Sequence, residues 1–338
     1  MQFPGAGKPP VGVIFDADMG ASIDQALALA LLYGLDGKNE CRVAALTSSN
    51  PALESAQYMD AVGRFYAGAV SAAFAAVGRQ LPVALASEGP AIKSPMLAGP
   101  LSLKKPDGTL VHFHNVQRML DTAEPRAVIR NALTAQFDEN AVIICAGRAT
   151  NIAASLALPG FKPWAAQKVR QLVITEHGLA TDIPAARAVL ATWPGPLVIV
   201  PDAASTSTPY PGSSIEKDFA WSTAHPVVDA YRAYKPMPYD APSWAMAAVL
   251  YAVRAKEGYF KVSEPGTASL SPDGKLTFAP SADGRHRQLV ADASQQARVV
   301  EAYTTLVSAK PVVRAPRFRP PAPKVEEKKA EPAKPATP

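Results

Sequence analysis

The sequence predicts an α/β protein: an open, mostly parallel sheet with helices on both faces. Two observations carry this. Apolar runs of strand length recur at residues 11–15, 42–47, 81–85, 141–145, 169–175 and 197–200. Helical stretches fall between most of them, an alternation that builds a parallel sheet. The first run also ends in an acidic loop that leads straight into a helix, and in open α/β sheets ligands bind beyond the carboxyl ends of the strands.

The chain has 338 residues, 48% of them apolar, enough for one large α/β domain or two small ones. The absence of a clean linker favours one, over residues 11–313. Residues 1–10 read as a Pro/Gly arm. Residues 314–338 are mostly Pro, Ala, Lys and Glu, bury too little to fold, and read as a disordered tail. Much of the net charge of +5 comes from that tail. No basic stripe is interleaved with aromatics, so nucleic acid is not an expected partner. No apolar run reaches the length of a membrane span. The start, MQFPGAGKPP, has no hydrophobic signal region. It reads as a cytoplasmic protein, or as a periplasmic or secreted one whose leader has been removed. Cys41 and Cys145 lie far apart in apolar surroundings and read as buried free thiols.

The first run, VGVIF, suits a buried strand and leads into Asp16 and Asp18. Gly20 turns the chain. Ser22 can cap the following helix, with Asp24 in the first turn, where the helix dipole favours a negative charge. Ile23, Ala26, Leu27, Ala30 and Leu31 repeat at helical spacing and bury one face. Asp16 and Asp18 can simply end a strand, and Asp24 can simply serve the helix. Three carboxylates within nine residues nevertheless repel one another. The pattern D-x-D-x-G followed by Asp24 favours a site for something cationic or hydroxyl-rich, and calcium suits all-oxygen ligands.

Residues 16–29, D-A-D-M-G-A-S-I-D-Q-A-L-A-L, resemble the amino-terminal signature of the inosine/uridine-preferring nucleoside hydrolase family. That signature is D-x-D-x-G-x-D-D-A, with a longer variant D-T-D-M-G-N-D-V-D-D-A-L-A-L. The resemblance runs to about residue 278. After the second strand, Asn50 in Ser-Ser-Asn-Pro matches a family Asn near the sugar, although the same four residues read equally well as a turn. Ala146-Gly147-Arg148-Ala149-Thr150-Asn151 stands where the family has T-G-P-L-T-N. Glu176-His177-Gly178 stands at E-x-N, Asp182, Ala185 and Ala186 match D-x-x-A-A, and Trp193-Pro194-Gly195-Pro196 matches W-P-x-P. Residues 243–253 follow S-W-D-x-T-A-V-L-Y-A-V, with Ala245 at the Asp. Residues 258–279 read as a strand pair turned at Pro272-Asp273-Gly274.

The resemblance implies a Rossmann-like nucleoside hydrolase fold and hydrolysis of an N-ribosidic bond through an oxocarbenium-like sugar. It also implies a calcium ion that binds the attacking water and two ribose hydroxyls. A homo-oligomer is in keeping with it, since family members are usually dimers or tetramers. By position, Asp18 would be the catalytic base and a calcium ligand, Asp16 its companion at the metal, and the Ala146 carbonyl a further ligand. Asp24, Asn50 and Glu176 would hold the nucleoside or sugar-like ligand; Glu176 reads equally as a salt-bridging residue.

Two carboxylates of the family's calcium site are replaced. Gln25 keeps an oxygen without the charge, and Ala245 offers none, whereas calcium takes six to eight oxygen ligands. Asp240 lies five residues before Ala245 and is out of register. Gly178 stands where the family has an Asn on the sugar hydroxyls. Arg148 has no counterpart, and its guanidinium is expected to pair with the acids in the missing cation's place. His112 and His114 form an H-x-H without further ligands nearby in sequence, and read as loop histidines over the mouth; His177 reads as a rim residue. Three functions follow: a divergent nucleosidase with a weak or displaced cation, a silent relative that binds a nucleoside or sugar, or an interaction scaffold whose tail recruits a partner. The lost ligand charge favours an altered or silent site over ordinary calcium-dependent nucleosidase activity.

Overall fold

The computed structural model describes residues 9–67 and 81–312. Most of the predicted amino-terminal arm, the end of a helix expected over residues 52–74, and the tail from residue 314 lie outside the described residues. The first half of the chain runs β1 (Val11–Ala17), α1 (Ile23–Gly37), β2 (Cys41–Ser48), α2 (Leu53–Ala67), β3 (Val83–Leu85), α3 (Pro95–Ser102), α4 (Pro125–Thr134), β4 (Ala141–Cys145), α5 (Thr150–Leu156) and α6 (Phe161–Lys168). The second half runs β5 (Val169–Thr175), α7 (Ile183–Thr192), β6 (Leu197–Val200), α8 (Asp202–Thr206), α9 (Gly212–Lys217), α10 (Pro226–Tyr234), α11 (Trp244–Arg254), β7 (Lys261–Val262), β8 (Gly266–Leu270), β9 (Leu276–Pro280), β10 (His286–Val290) and α12 (Gln296–Val307).

The strands form one sheet in the order β3-β2-β1-β4-β5-β6-β10-β8-β9, with β7 on β10. From β3 to β10 all neighbours are parallel; β8 and β9 close that edge as an antiparallel pair. Every residue of β1 is buried, as expected of a central strand covered on both faces. Its side chains alternate between two cores. Val13 and Phe15 pack with α1, α10, α11 and α12. Ile14 packs on the other side, among residues of α4, α5, α6 and α7. Among the described residues no helix is long and apolar enough to cross a membrane.

Two parts of this architecture depart from the sequence expectation. The loop expected over residues 87–116 contains α3, whose Pro and Gly content hides a helix that packs on α10. Beyond the expected β8–β9 hairpin, β10 inserts between β6 and β8 and α12 packs against α1. The order of the first six strands fixes the site. The chain moves outward from β1 through β2 to β3, then re-enters on the other side of β1 at β4 and continues to β5 and β6. Its direction reverses between β1 and β4, where such a sheet opens a crevice at the strands' carboxyl ends.

Candidate functional site

The loops after β1, β2, β3, β4 and β5 and the amino-terminal end of α11 meet at that reversal point. The loop after β1 carries Asp18, and Asp16 lies in β1 just before it. Parallel pairing places Asp16 beside Thr47 of β2 and Cys145 of β4. One Asp16 oxygen accepts from Thr47 Oγ1 and from Asn151 Nδ2 at 2.7 Å. The other lies 4.0 Å from Cys145 Sγ. Burial pushes the Asp16 carboxyl up to about 7, although both hydrogen bonds pull it down. Asp16 therefore ties β1 to the ends of β2 and α5.

Asp18 is 3% exposed. Its Oδ1 accepts from Gln25 Nε2. The same nitrogen donates to the Ala146 carbonyl at 2.9 Å. Both neighbours are acceptors, so the amide must present its NH2 to them. On the other side, Arg148 Nε stands 3.7 Å from Asp18 Oδ2. Burial raises the Asp18 pKa, opposed by the Gln25 hydrogen bond and the Arg148 charge. Arg148 is 3% exposed, and its Nη1 donates to the Pro90 carbonyl at 3.1 Å, so the segment after β3 reaches across toward the loop after β4. Arg148 Nε, Arg148 Nη2, Gln25 Oε1 and Ser49 Oγ are buried without a hydrogen-bond partner.

The residues expected to hold a sugar are differently employed. Ser22 Oγ accepts from Asp24 N at 3.3 Å and caps α1. The Asp24 carboxylate accepts from Ala245 N and, at 3.3 Å, from Met246 N. It thus fills the amino-terminal end of α11 from the side of α1, where the helix dipole favours it. Burial pushes this carboxyl, too, up to about 7. Asn50 donates to Met19 O at 2.8 Å and Ile92 O at 2.9 Å, and accepts from Ala52 N and Ile92 N. Its amide pins three chain segments and leaves little for a ligand. Glu176 accepts from Asp202 N at 3.0 Å, at the start of α8. Burial raises its pKa. His177 is exposed and stacks on Trp244, with ring centroids 3.7 Å apart and planes at 5°.

The glycines of the neighbouring loops explain one departure from the family pattern, Gly178 in place of an Asn. A Cβ on Gly178 would lie 2.3 Å from the Gly147 carbonyl carbon, and one on Gly147 would lie 2.2 Å from Asp18 Oδ1. The loop after β5 rests on the loop after β4, which rests on Asp18, and an Asn at residue 178 has no room.

The donor set does not fit calcium. The point between Asp18 and the Ala146 carbonyl is taken by the Gln25 amide nitrogen, with a guanidinium close by. Ala245 supplies only an N–H, which Asp24 accepts. The expectation that Arg148 would take the cation's place is corrected in its detail: Gln25 lies between the two oxygens, and Arg148 flanks the second oxygen of Asp18. Asp240 lies elsewhere and accepts from Gly212 N. His112 binds Asp229 at 2.7 Å, and His114 Nδ1 is buried without a partner. Among the described residues no group of three or more His, Cys, Asp or Glu is placed to hold a metal. Sequence reasoning assigned no role to Thr47 or Asn151. The usable signal for Thr47 was the parallel register that sets it beside Asp16.

A scan against protein-family models finds no match, nor does a search of curated proteins. Solved structures do match. A purine-preferring ribonucleoside hydrolase from Gardnerella vaginalis superposes with a TM-score of 0.63 at 16% identity, over 88% of this chain and 98% of that one. The plant nucleoside hydrolase PpNRh1 gives 0.59 at 20% identity, over 89% and 100%. The type III effector protein XopQ, solved in complex with adenosine diphosphate ribose, gives 0.60 at 14% identity, over 89% and 94%. The chain has the nucleoside hydrolase fold.

Proposed function

We propose that this protein descends from the nucleoside hydrolases and binds a ribonucleoside or related hydroxylated sugar between β1 and β4, without a calcium-dependent hydrolytic step. The observation that carries this reading is the set of buried polar atoms left without partners around Asp18: Arg148 Nε and Nη2 as donors and Gln25 Oε1 as acceptor. A buried polar group left unmet costs about 1–3 kcal/mol. A sugar carries several hydroxyls that each donate and accept, so it suits a site with unmet donors on one side of Asp18 and an unmet acceptor on the other. The fold supports the reading, and XopQ was solved with a ribose-containing ligand. Hydrolysis in the usual manner is disfavoured by the state of Asp18. A general base needs an oxygen free to reach its proton, whereas one Asp18 oxygen is bonded to Gln25 and the other faces Arg148.

A second reading, a scaffold with an unused crevice, is favoured by the burial of Asp16, Asp18, Asp24 and Asn50 and by the internal bonds they make. Calorimetry on metal-stripped protein with inosine, ribose and adenosine diphosphate ribose separates the two, with chromatography for released base. The expected result is binding that calcium leaves unchanged, no release of base, and affinity weakened roughly tenfold or more by Arg148→Met. Failure to bind all three ligands leaves the scaffold. Turnover that requires calcium restores the hydrolase.

A further inference from the structure

We infer that Gln25 is a tethered replacement for a divalent cation, with its amide supplying the geometry and Arg148 supplying the charge. This deepens the metal-free reading above. Its test reads calcium and not nucleoside, so the two fail separately.

The argument starts from what a carboxylate and a carbonyl oxygen demand when they face a common point. Two acceptors cannot bond each other, so a positive group or a double donor must stand between them. Here Gln25 Nε2 donates to both Asp18 Oδ1 and Ala146 O. A primary amide has two N–H groups, one for each acceptor, but it carries no net charge. Asp18 would then be a buried carboxylate without a counter-charge, an arrangement that is costly unless the charge is paired. Arg148 answers this from the opposite side, with Nε 3.7 Å from Asp18 Oδ2 and a side chain as buried as Asp18 itself.

The third position agrees. Ala245 is 1% exposed, and its backbone N–H is bonded to Asp24. A carboxylate at this buried position, with no cation to meet, would be one more unpaired buried charge. Gln25, Arg148 and Ala245 together thus make a site whose charges balance without a cation. A calcium ion entering this site would have to break both Gln25 hydrogen bonds and sit beside a guanidinium. The amide also holds the loop after β4 to the loop after β1, so Gln25 is a positioning residue.

The experiment is thermal unfolding of the full chain in EDTA and in about 1 mM calcium, with calorimetric calcium titration alongside. Wild-type protein is expected to unfold at the same temperature in both buffers and to show no calcium heat. Gln25→Asp is expected to melt lower in EDTA, because two carboxylates then face each other, and to recover by roughly 5 °C or more in calcium. Gln25→Leu is expected to melt lower in both buffers without recovery, which separates cation replacement from a general packing role. Micromolar calcium binding by the wild type, or a folded Gln25→Asp that ignores calcium, overturns the inference. If Gln25→Asp does not fold, the wild-type titration decides alone: its silence supports the inference, and micromolar binding ends it.

Discussion

At the scale of single residues, Asp16 and Asp24 look alike in sequence and differ in how their oxygens are used. Asp16 takes its two short hydrogen bonds on one oxygen, and the other receives only the long contact from the Cys145 thiol at 4.0 Å. An Asn at that position keeps an acceptor for Thr47 and Asn151 and turns its NH2 toward Cys145. Asp24 uses both oxygens, one for Ala245 N and one for Met246 N. An Asn there points an N–H at a backbone N–H, losing one bond and leaving a buried donor unmet. Asp24→Asn is therefore expected to cost about 2 kcal/mol in urea unfolding at pH 7. Asp16→Asn is expected to be neutral or stabilising at that pH, because it removes a buried charge and loses only the long thiol contact from Cys145. Equal losses for the two variants would mean that the oxygens of Asp16 are not arranged in this way.

At the scale of elements, the site depends on loops that touch through glycine. Gly178→Ala places a methyl 2.3 Å from the Gly147 backbone, and neither backbone is a flexible side chain that can swing aside. The loop after β5 must then lift from the loop after β4, carrying strain to Asp18 and Arg148. A loss of about 2 kcal/mol in urea unfolding is expected, with weaker binding of whichever nucleoside the wild type binds. A variant as stable as wild type would show that the two loops do not pack this closely. The same elements show what was legible. The β1–loop–α1 unit was plain because an apolar run, clustered acids and helical spacing occur together in residues 11–35. Helix α3 was hidden by its own Pro and Gly, and β10 by its brevity and its polar His286, Arg287 and Gln288. The acids were legible as a cluster, but their partners were not. Asn151 lies 135 residues from Asp16, and Ala245 lies 221 from Asp24. No local pattern joins residues so far apart. Only the parallel register and the packing of α11 against α1 do so.

At the scale of the whole molecule, burial of titratable groups sets how stability follows pH, and opposing groups meet in one window. Asp16 and Asp24 are pushed up to about 7 from an ordinary 3.8. Between those values the folded protein holds protons that the unfolded chain has released, so each contribution is full below about pH 4 and is lost as pH rises toward 7. His225 runs the other way. It sits against Phe65, Tyr66, Phe219 and Trp221, and burial pulls it down to about 3. Its contribution is full above about pH 6.5 and is lost as pH falls toward 3. Each group is worth on the order of 4 kcal/mol across its range, a slope of about 1.4 kcal/mol per pH unit. Asp18 and Glu176 share the direction of the buried acids; His114 and His286 share that of His225. Two falling slopes of this size stand against one rising slope, so the wild type is expected to lose stability as pH rises between about pH 4.5 and 6.5, by about 1.4 kcal/mol per unit. Substitution exposes the parts. Asp16→Asn removes a falling slope, so its stability relative to wild type is expected to climb with pH. His225→Asn keeps an acceptor for Val227 N, which His225 Nδ1 now provides at 3.2 Å, and removes a rising slope. Its stability relative to wild type is expected to fall with pH over the same window. Urea unfolding at pH 4.5, 5.5 and 6.5 reads both differences. Slopes of opposite sign would place the two charges inside the fold as described, and two flat differences would mean that neither group titrates as its burial requires.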